Sequence, residues 1–278
     1  MFSGFVERAS IPVFNDDSIP ETILSLTEHS TIFGDFDLFK PIISKLPNKT
    51  ESWLYPSSTV ETAHFIKLDN LVFDRFRNYT KTFLNQSKSI AVLYLQGADI
   101  VSHSGQKPSY VSVVLNNLDL QIRELDKQLS EIDPDYLNST TFILTSDHGA
   151  DPEFGGHGND TPDETHAVFL AWGAGISRAV PVSSALVSEI PLDFANSFNT
   201  QRTDMQQSDL SVLMAHLLGL EIPFNSVGQL PLDILGFNSK LERCVSLLKL
   251  AHFKLDQLKS LYSEVASSYW NIFFEFFP

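Results

Sequence analysis

Residues 141–149 read Thr-Phe-Ile-Leu-Thr-Ser-Asp-His-Gly, an apolar run that stops abruptly at two polar side chains. A short continuous apolar run of this kind predicts a strand that is buried on both faces of a sheet. Asp147 and His148 would then stand at the carboxyl end of that strand. Because functional groups of open α/β sheets gather at such strand ends, the stretch indicates both a fold class and the place of a site.

The segment before this stretch follows the same plan. Residues 90–95 form another apolar run, and Asp99 and His103 follow it. Apolar residues then recur at helical spacing from Pro108, which suits the first turn of a helix, to Ile132. A strand, a helix and a second strand in this order predict a pair of parallel strands joined by a right-handed crossover.

The rest of the chain adds one strand and several helices to this unit. Residues 168–172 predict a third strand, and residues 68–83 have helical spacing. A helix is predicted from Ser208, a suitable N-cap, to Gly219, and an amphipathic helix from Leu241 to Val265. The first 60 residues are weakly patterned. The predicted fold is an α/β sandwich with a mainly parallel sheet between helices.

Composition excludes several classes of protein. The chain is 43% hydrophobic and 19% charged, which is typical of a globular protein. Its net charge of −15 argues against nucleic acid as a partner, since nucleic acid is bound by Lys and Arg. Neither a signal peptide nor a membrane-spanning segment is predicted. The lone Cys244 has apolar neighbours and is predicted to be a buried structural thiol.

Two groups of Asp and His residues form a candidate metal site. Asp99, His103 and His157, the last within Gly-Gly-His-Gly at 155–158, would make one open three-ligand site. Asp147 and His148 would make half of a second site. Carboxylate oxygen and imidazole nitrogen suit zinc or manganese, and two ions about 4 Å apart can clamp both oxygens of a phosphoryl transfer. The alternative is that these residues are turn, capping or hydrogen-bonding groups without a ligand.

These segments also resemble a known family. The resemblance rests on residues 141–149, on Gly-His-Gly at 156–158, on Glu-Thr at 164–165 and on Ala-Trp-Gly-Ala-Gly-Ile at 171–176. Further matches are Lys-Leu-Asp at 67–69, Gln-Ser-Asp-Leu at 207–210 and Pro-Phe-Asn-Ser-Val-Gly at 223–228. Together they resemble the GPI ethanolamine phosphate transferases, most of all the type that modifies the first mannose, over about residues 18 to 235.

The resemblance implies a fold, a reaction and a compartment. The fold would be that of the alkaline phosphatase superfamily with two zinc ions, one held by Asp99, His103 and His157 and the other by Asp147 and His148. The reaction would move phosphoethanolamine from phosphatidylethanolamine to a mannose of the GPI precursor, at the lumenal face of the endoplasmic reticulum membrane. Glycosylation sequons agree with that compartment; they lie at Asn48, Asn78, Asn85, Asn138 and Asn159.

The chain also departs from the family pattern. In this superfamily a further Asp and a nucleophilic Thr come from an earlier segment, so the first strands of the sheet and the nucleophile are expected before residue 1. Segments that associate with the membrane are likewise expected outside the chain. Thr161 stands where the family often has a His. The expected division is a partial catalytic domain over residues 1–235 and a helical extension over 236–278.

Two alternative functions stay open at this point. The chain could belong to a metal-dependent phosphodiesterase or phosphatase of the same superfamily, with water as the acceptor. It could also be a catalytically inactive metal-binding half-domain that lacks the nucleophile.

Overall fold

The computed structural model describes residues 22–44, 46, 50–56, 65–103, 108–152, 156–181 and 203–276. The strands are β1 (His29–Asp35), β2 (Thr50–Tyr55), β3 (Ser89–Leu93), β4 (Thr141–Thr145) and β5 (Phe169–Gly173). The helices are α1 (Ile23–Leu26), α2 (Phe36–Ile43), α3 (Phe65–Leu84), α4 (Gly97–His103), α5 (Pro108–Ile132), α6 (Pro162–Thr165), α7 (Asp209–Leu218) and α8 (Lys240–Phe276). A short 3₁₀ helix spans Tyr136–Asn138.

The described chain forms two compact units. Of the described residues, one unit contains those from 24 to 174 and the other contains 22 and 23 together with those from 175 to 276. All five strands and all five predicted metal ligands belong to the first unit. The predicted division at residue 235 stays a prediction.

A parallel three-stranded sheet lies in the first unit, in the order β2-β1-β3. Ser30 of β1 stands opposite Thr50 of β2 on one side and Ile90 of β3 on the other. Since both neighbours run parallel to β1, the carboxyl ends of all three strands meet at one edge of the sheet. The predicted α/β fold with a parallel sheet and flanking helices is confirmed.

Strands β1 and β2 were not predicted from the sequence, and β1 shows why. Its polar residues are buried: Ser30 Oγ lies 2.8 Å from Thr50 Oγ1, and Thr31 Oγ1 donates to Tyr79 Oη over 3.0 Å. Hydrogen bonds to neighbouring elements therefore satisfy side chains that break the apolar pattern. The expectation of further strands before residue 1 stays a prediction.

Strands β3 and β4, which the sequence predicts as the two parallel strands of one β–α–β unit, lie in separate sheets among the described residues. Strand β3 pairs with β1, whereas β4 pairs with β5 in an antiparallel ladder that sets Phe142 opposite Trp172. These two rings stack with centroids 5.1 Å apart. The predicted strands and the helix between them are present, as α5 spans Pro108–Ile132.

The core of the first unit lies between the parallel sheet and helices α3 and α5. Phe33 of β1 is fully buried and meets the ring of Phe76 edge to face, with centroids 5.6 Å apart. The other buried members are Tyr55, Leu68, Val72, Phe73, Tyr79, Leu125, Leu129 and Tyr136. This cluster fixes α3 and α5 against the strands whose ends carry the site.

The second unit contains the two remaining helices. Helix α7 follows Ser208 and ends at Gly219, which has the left-handed φ of 63° of a helix C-cap, as predicted. The predicted last helix is also present as α8, but it exposes large apolar side chains such as Leu248. None of the helices in the described ranges has both the length and the hydrophobicity needed to cross a bilayer.

The prediction that Cys244 is buried is wrong, because its side chain is exposed. Ser246, two residues further along α8, is buried instead. Lys254 Nζ and Gln257 Nε2 of the same helix donate to the carbonyl oxygen of Ser226 over 2.9 and 3.0 Å. The packed side of the helix is therefore partly polar, and the apolar neighbours of Cys244 do not mark the core.

Candidate metal centre

Helix α4 presents two of the predicted ligands on one face. It begins at Gly97, just beyond the end of β3, and carries Asp99 and His103 one turn apart. Residues four apart on a helix lie above one another, so both side chains point the same way. Asp99 Oδ1 lies 3.3 Å from His103 Nε2. Sequence patterning did not predict this seven-residue helix, although it did predict its two polar residues as a pair.

The third predicted ligand, His157, completes a triangle of ligand atoms. Its Nε2 lies 3.4 Å from Asp99 Oδ1 and 2.8 Å from His103 Nε2. The side chains of Asp99, His103 and His157 are 52%, 55% and 28% exposed, so the triangle is open to solvent. Asp99 and His103 lie on α4, and His157 follows His103 by 54 positions. The terminal atoms of the three side chains thus lie close together.

The spacing of this triangle fits a small metal ion. In a tetrahedral zinc site with bonds of about 2.0–2.1 Å, neighbouring ligand atoms lie about 3.3–3.4 Å apart. The two edges that involve Asp99 have this length, and the edge between the two histidines is shorter by about half an ångström. One carboxylate and two imidazoles are also a donor set that suits zinc or manganese. The residues therefore fit the ion that the resemblance implies.

The second predicted pair lies beside this triangle. His148 Nε2 is 3.7 Å from Asp147 Oδ2, and the His148 ring stacks on the His157 ring with centroids 3.9 Å apart. One ligand atom each of Asp99, His148 and His157 lie within 4.8 Å of one another. The fold therefore brings all five predicted residues into one cluster, at the carboxyl ends of β3 and β4 and in the loop before α6.

The orientation of His148 suits metal binding. Its Nδ1 lies 2.8 Å from the carbonyl oxygen of Gly149. A carbonyl can only accept a hydrogen bond, so Nδ1 carries the proton. That leaves Nε2 with a free lone pair directed away from Gly149. Ligating histidines in proteins are usually oriented by such a hydrogen bond on the other ring nitrogen.

Asp69 of α3 contacts Gly97, the first residue of α4. Its side chain is 2% exposed, and its Oδ1 accepts a hydrogen bond of 3.1 Å from the backbone nitrogen of Gly97. A Cβ atom on Gly97 would lie 2.3 Å from Asp69 Oδ2, so a larger residue there would require the Asp69 carboxylate to move. Burial raises the pKa of Asp69 to about 6, against the lowering effect of hydrogen bonds from Gly97 and Gln96. The sequence signals for this residue were its place in the Lys-Leu-Asp match at 67–69 and an acid inside an apolar helical pattern, and neither indicated this contact.

Two tyrosines lie under the same edge of the sheet. Burial is the main cause that raises the pKa of Tyr94, and the charges of Asp147, Asp99 and Asp35 raise it further. Tyr55 donates to Gln96 Oε1 over 3.1 Å. The phenol of Tyr94 therefore stays protonated among three carboxylates. Such a concentration of negative charge is favourable to a bound cation.

Comparison with known proteins identifies relatives over nearly the whole chain. The proteins named GPI ethanolamine phosphate transferase 1 of Candida glabrata, Schizosaccharomyces pombe and Saccharomyces cerevisiae are 32%, 31% and 30% identical to it. The alignments cover 96%, 89% and 99% of this chain but 30%, 28% and 31% of those proteins. The chain thus spans less than a third of the length of these relatives. No protein-family model and no solved structure matches it. Within the span that the alignments cover, the chain belongs to the family of GPI ethanolamine phosphate transferases.

Proposed function

We propose that this chain supplies the metal-binding part of a phosphotransferase. The enzyme would move ethanolamine phosphate from phosphatidylethanolamine to a mannose hydroxyl of the GPI anchor precursor, the first mannose by resemblance. The observation that carries the proposal is the cluster of five ligand side chains in a chain whose relatives bear this name. The site would face the lumen of the endoplasmic reticulum, at its membrane.

Two groups of residues in this chain would hold two metal ions. Asp99, His103 and His157 would hold the first, and Asp147 and His148 would contribute to the second. Zinc, or manganese in its place, polarises a phosphoryl oxygen and neutralises charge that develops during transfer. Asp69 fixes the start of α4 beneath Asp99, and the Nδ1–H bond of His148 to Gly149 fixes which ring nitrogen faces the site.

The solvent exposure of the triangle formed by Asp99, His103 and His157 would let the mannose acceptor reach the site. The exposure of Asp99 and His103 leaves room for a large glycolipid headgroup to approach the phosphoryl group. The nucleophilic Thr and the remaining ligands of the second ion would come from the part of the relatives' length that this chain does not span. The proposal therefore assigns no covalent step to the residues described here.

The test is a transfer assay on the full-length protein that contains this chain. It uses phosphatidylethanolamine labelled in its headgroup and a mannosylated GPI precursor. His157→Ala should lower the transfer rate by a factor of at least about 10², since a ligand and its ion are lost. His252→Ala is the matched control, because His252 is 74% exposed on α8 and lies 3.3 Å from Asp256, away from the predicted ligands in the sequence.

Three results would contradict the proposal in different ways. Equal rates for the two variants would show that His157 holds no catalytic metal. Release of free ethanolamine phosphate in place of a glycolipid product would favour the hydrolase alternative. No turnover of either kind, with the protein folded, would favour the inactive metal-binding domain.

A further inference from the structure

Glu164 of α6 is a buried acid that no step of the proposed reaction uses. It is 3% exposed, in a four-residue helix at the surface. Both of its carboxylate oxygens accept hydrogen bonds from one residue, Asn159. Oε2 lies 2.6 Å from the backbone nitrogen of Asn159, and Oε1 lies 3.0 Å from its Nδ2. Asn159 follows the ligand His157 by two positions.

The backbone of Glu164 also contacts the loop after β4, which carries His148. The carbonyl oxygen of Glu164 accepts a hydrogen bond of 2.8 Å from the backbone nitrogen of Gly149, which directly follows His148. The two backbones approach so closely that a Cβ on Gly149 would lie 1.9 Å from the carbonyl oxygen of Asp163. One turn of helix thus fastens the loop after β4 and the loop that carries His157.

We infer that Glu164 is a positioning residue that clamps the two ligand loops together, with Asn159 as the partner of its carboxylate. The inference rests on the proposed function, because it takes His148 and His157 as metal ligands. Glu164 does not touch the ligand atoms; it sets the backbone from which His157 projects.

The chemistry of the contact explains why an acid is needed. Asn159 offers two N–H donors, one from its backbone and one from its side chain, and a carboxylate accepts both. Glutamine has one acceptor oxygen, so its amide nitrogen would face a donor and leave one N–H without a partner. The Glu164 end of the contact is buried, so the lost hydrogen bond would weaken its hold on the loop.

The contact also bears on glycosylation. Asn159, Asp160 and Thr161 form one of the five sequons, and a glycan would be attached to Nδ2, the atom that donates to Glu164. A glycan there would replace one of the two Nδ2 hydrogens and crowd the clamp. Its occupancy should therefore be lower at Asn159 than at Asn138, a sequon residue exposed in the 3₁₀ helix.

The experiment measures zinc affinity of the full-length protein by competition with a chelator. Glu164→Gln and Asn159→Ala should each weaken zinc binding by about 10- to 100-fold, as expected for residues that orient ligands. Thr161→Ala is the matched control: it removes the sequon, while the Thr161 side chain makes no capping hydrogen bond. It should keep the affinity of the unaltered protein. Unchanged affinity in Glu164→Gln, or an equal loss in Thr161→Ala, would overturn the inference.

A second measurement separates this inference from the proposed function. Hydrogen exchange on metal-free protein should show faster exchange of the Asn159 backbone amide in Glu164→Gln than in Thr161→Ala. If the unaltered protein binds neither zinc nor manganese, the proposed function fails and the exchange result alone decides the clamp. Equal exchange in the two variants would show that the clamp does not exist.

Discussion

The single residue with the clearest effect of pH is Asp69. Its carboxyl group is buried beneath α4, and burial raises its pKa from the ordinary value of 3.8 to about 6. Between these two pH values the folded chain holds a proton that the unfolded chain has released. The folded state binds more protons there, so this group lowers the free energy of unfolding as pH rises from about 4 to about 6. Above pH 6 its effect is constant.

The variant Asp69→Asn should remove that slope. Relative to the unaltered chain, the variant should gain up to about 3 kcal/mol in free energy of unfolding between pH 4 and pH 7. Urea titrations at several pH values measure this difference. Asp74→Asn is the matched control, since Asp74 lies on the exposed side of the same helix. If the curves of Asp69→Asn and the unaltered chain run parallel, Asp69 is not buried as described.

The five proposed metal ligands could be singled out in the sequence because four of them follow apolar runs and His157 lies in a glycine-rich loop. Asp147 and His148 follow β4, and Asp99 follows β3; both strands are half-buried along their length, although their apolar runs predict strands buried on both faces. Asp69 and Glu164 could not be assigned a role in the same way. The carboxylate of Asp69 accepts from Gly97, 28 positions along the chain, and that of Glu164 accepts from Asn159, which precedes it by five positions in an irregular loop. A carboxylate inside an apolar pattern shows no partner until tertiary contacts are known.

At the scale of elements, the two ligand loops differ in how tightly they pack. Gly149 lies against α6, where a Cβ would meet a backbone oxygen at 1.9 Å. Gly156, one residue before His157, has open space around the position of a Cβ. Backbone atoms cannot move aside as a side chain can, so these two glycines should respond very differently to the same added methyl group.

Gly149→Ala should therefore destabilise the chain by about 1–3 kcal/mol and weaken metal binding, because α6 must shift. Gly156→Ala should change the free energy of unfolding by less than about 0.5 kcal/mol. Chemical denaturation of the two variants measures both effects. Equal effects in the two would mean that α6 does not pack on the loop after β4.

The elements themselves were predictable where pattern and burial agree. Helix α5 follows an uninterrupted apolar stripe, and both of its ends match the prediction. Strand β1 was not predicted because two of its buried positions hold the polar residues Ser30 and Thr31, which break the apolar pattern. The partner of β4 was not predicted either, because an apolar run indicates a strand but does not specify which strand lies alongside it. In the structure β4 pairs with β5, which runs in the opposite direction.

At the scale of the whole molecule, stability should come from the core of residues 24–174 more than from the long helix α8. Leu129 of α5 is 1% exposed in that core, whereas Leu248 of α8 is 69% exposed. Removal of the same side-chain atoms from the two positions compares them directly.

Leu129→Ala should lower the free energy of unfolding by about 2–5 kcal/mol through lost burial and the cavity left behind. Leu248→Ala should stay within about 0.5 kcal/mol of the unaltered chain. Denaturant titration of both variants provides the numbers. A cost at Leu248 similar to that at Leu129 would show that α8 is covered in solution by a surface that the described residues do not show.

Anomalous X-ray diffraction at the zinc edge would show whether Asp99, His103 and His157 hold a metal ion. Crystals of the full-length protein grown with zinc should show an anomalous peak about 2 Å from Asp99 Oδ1 and from Nε2 of both histidines. The edge between the two histidines should widen from 2.8 Å toward the other two edges. A fully folded protein with no peak between these three atoms, in zinc excess, would contradict the account.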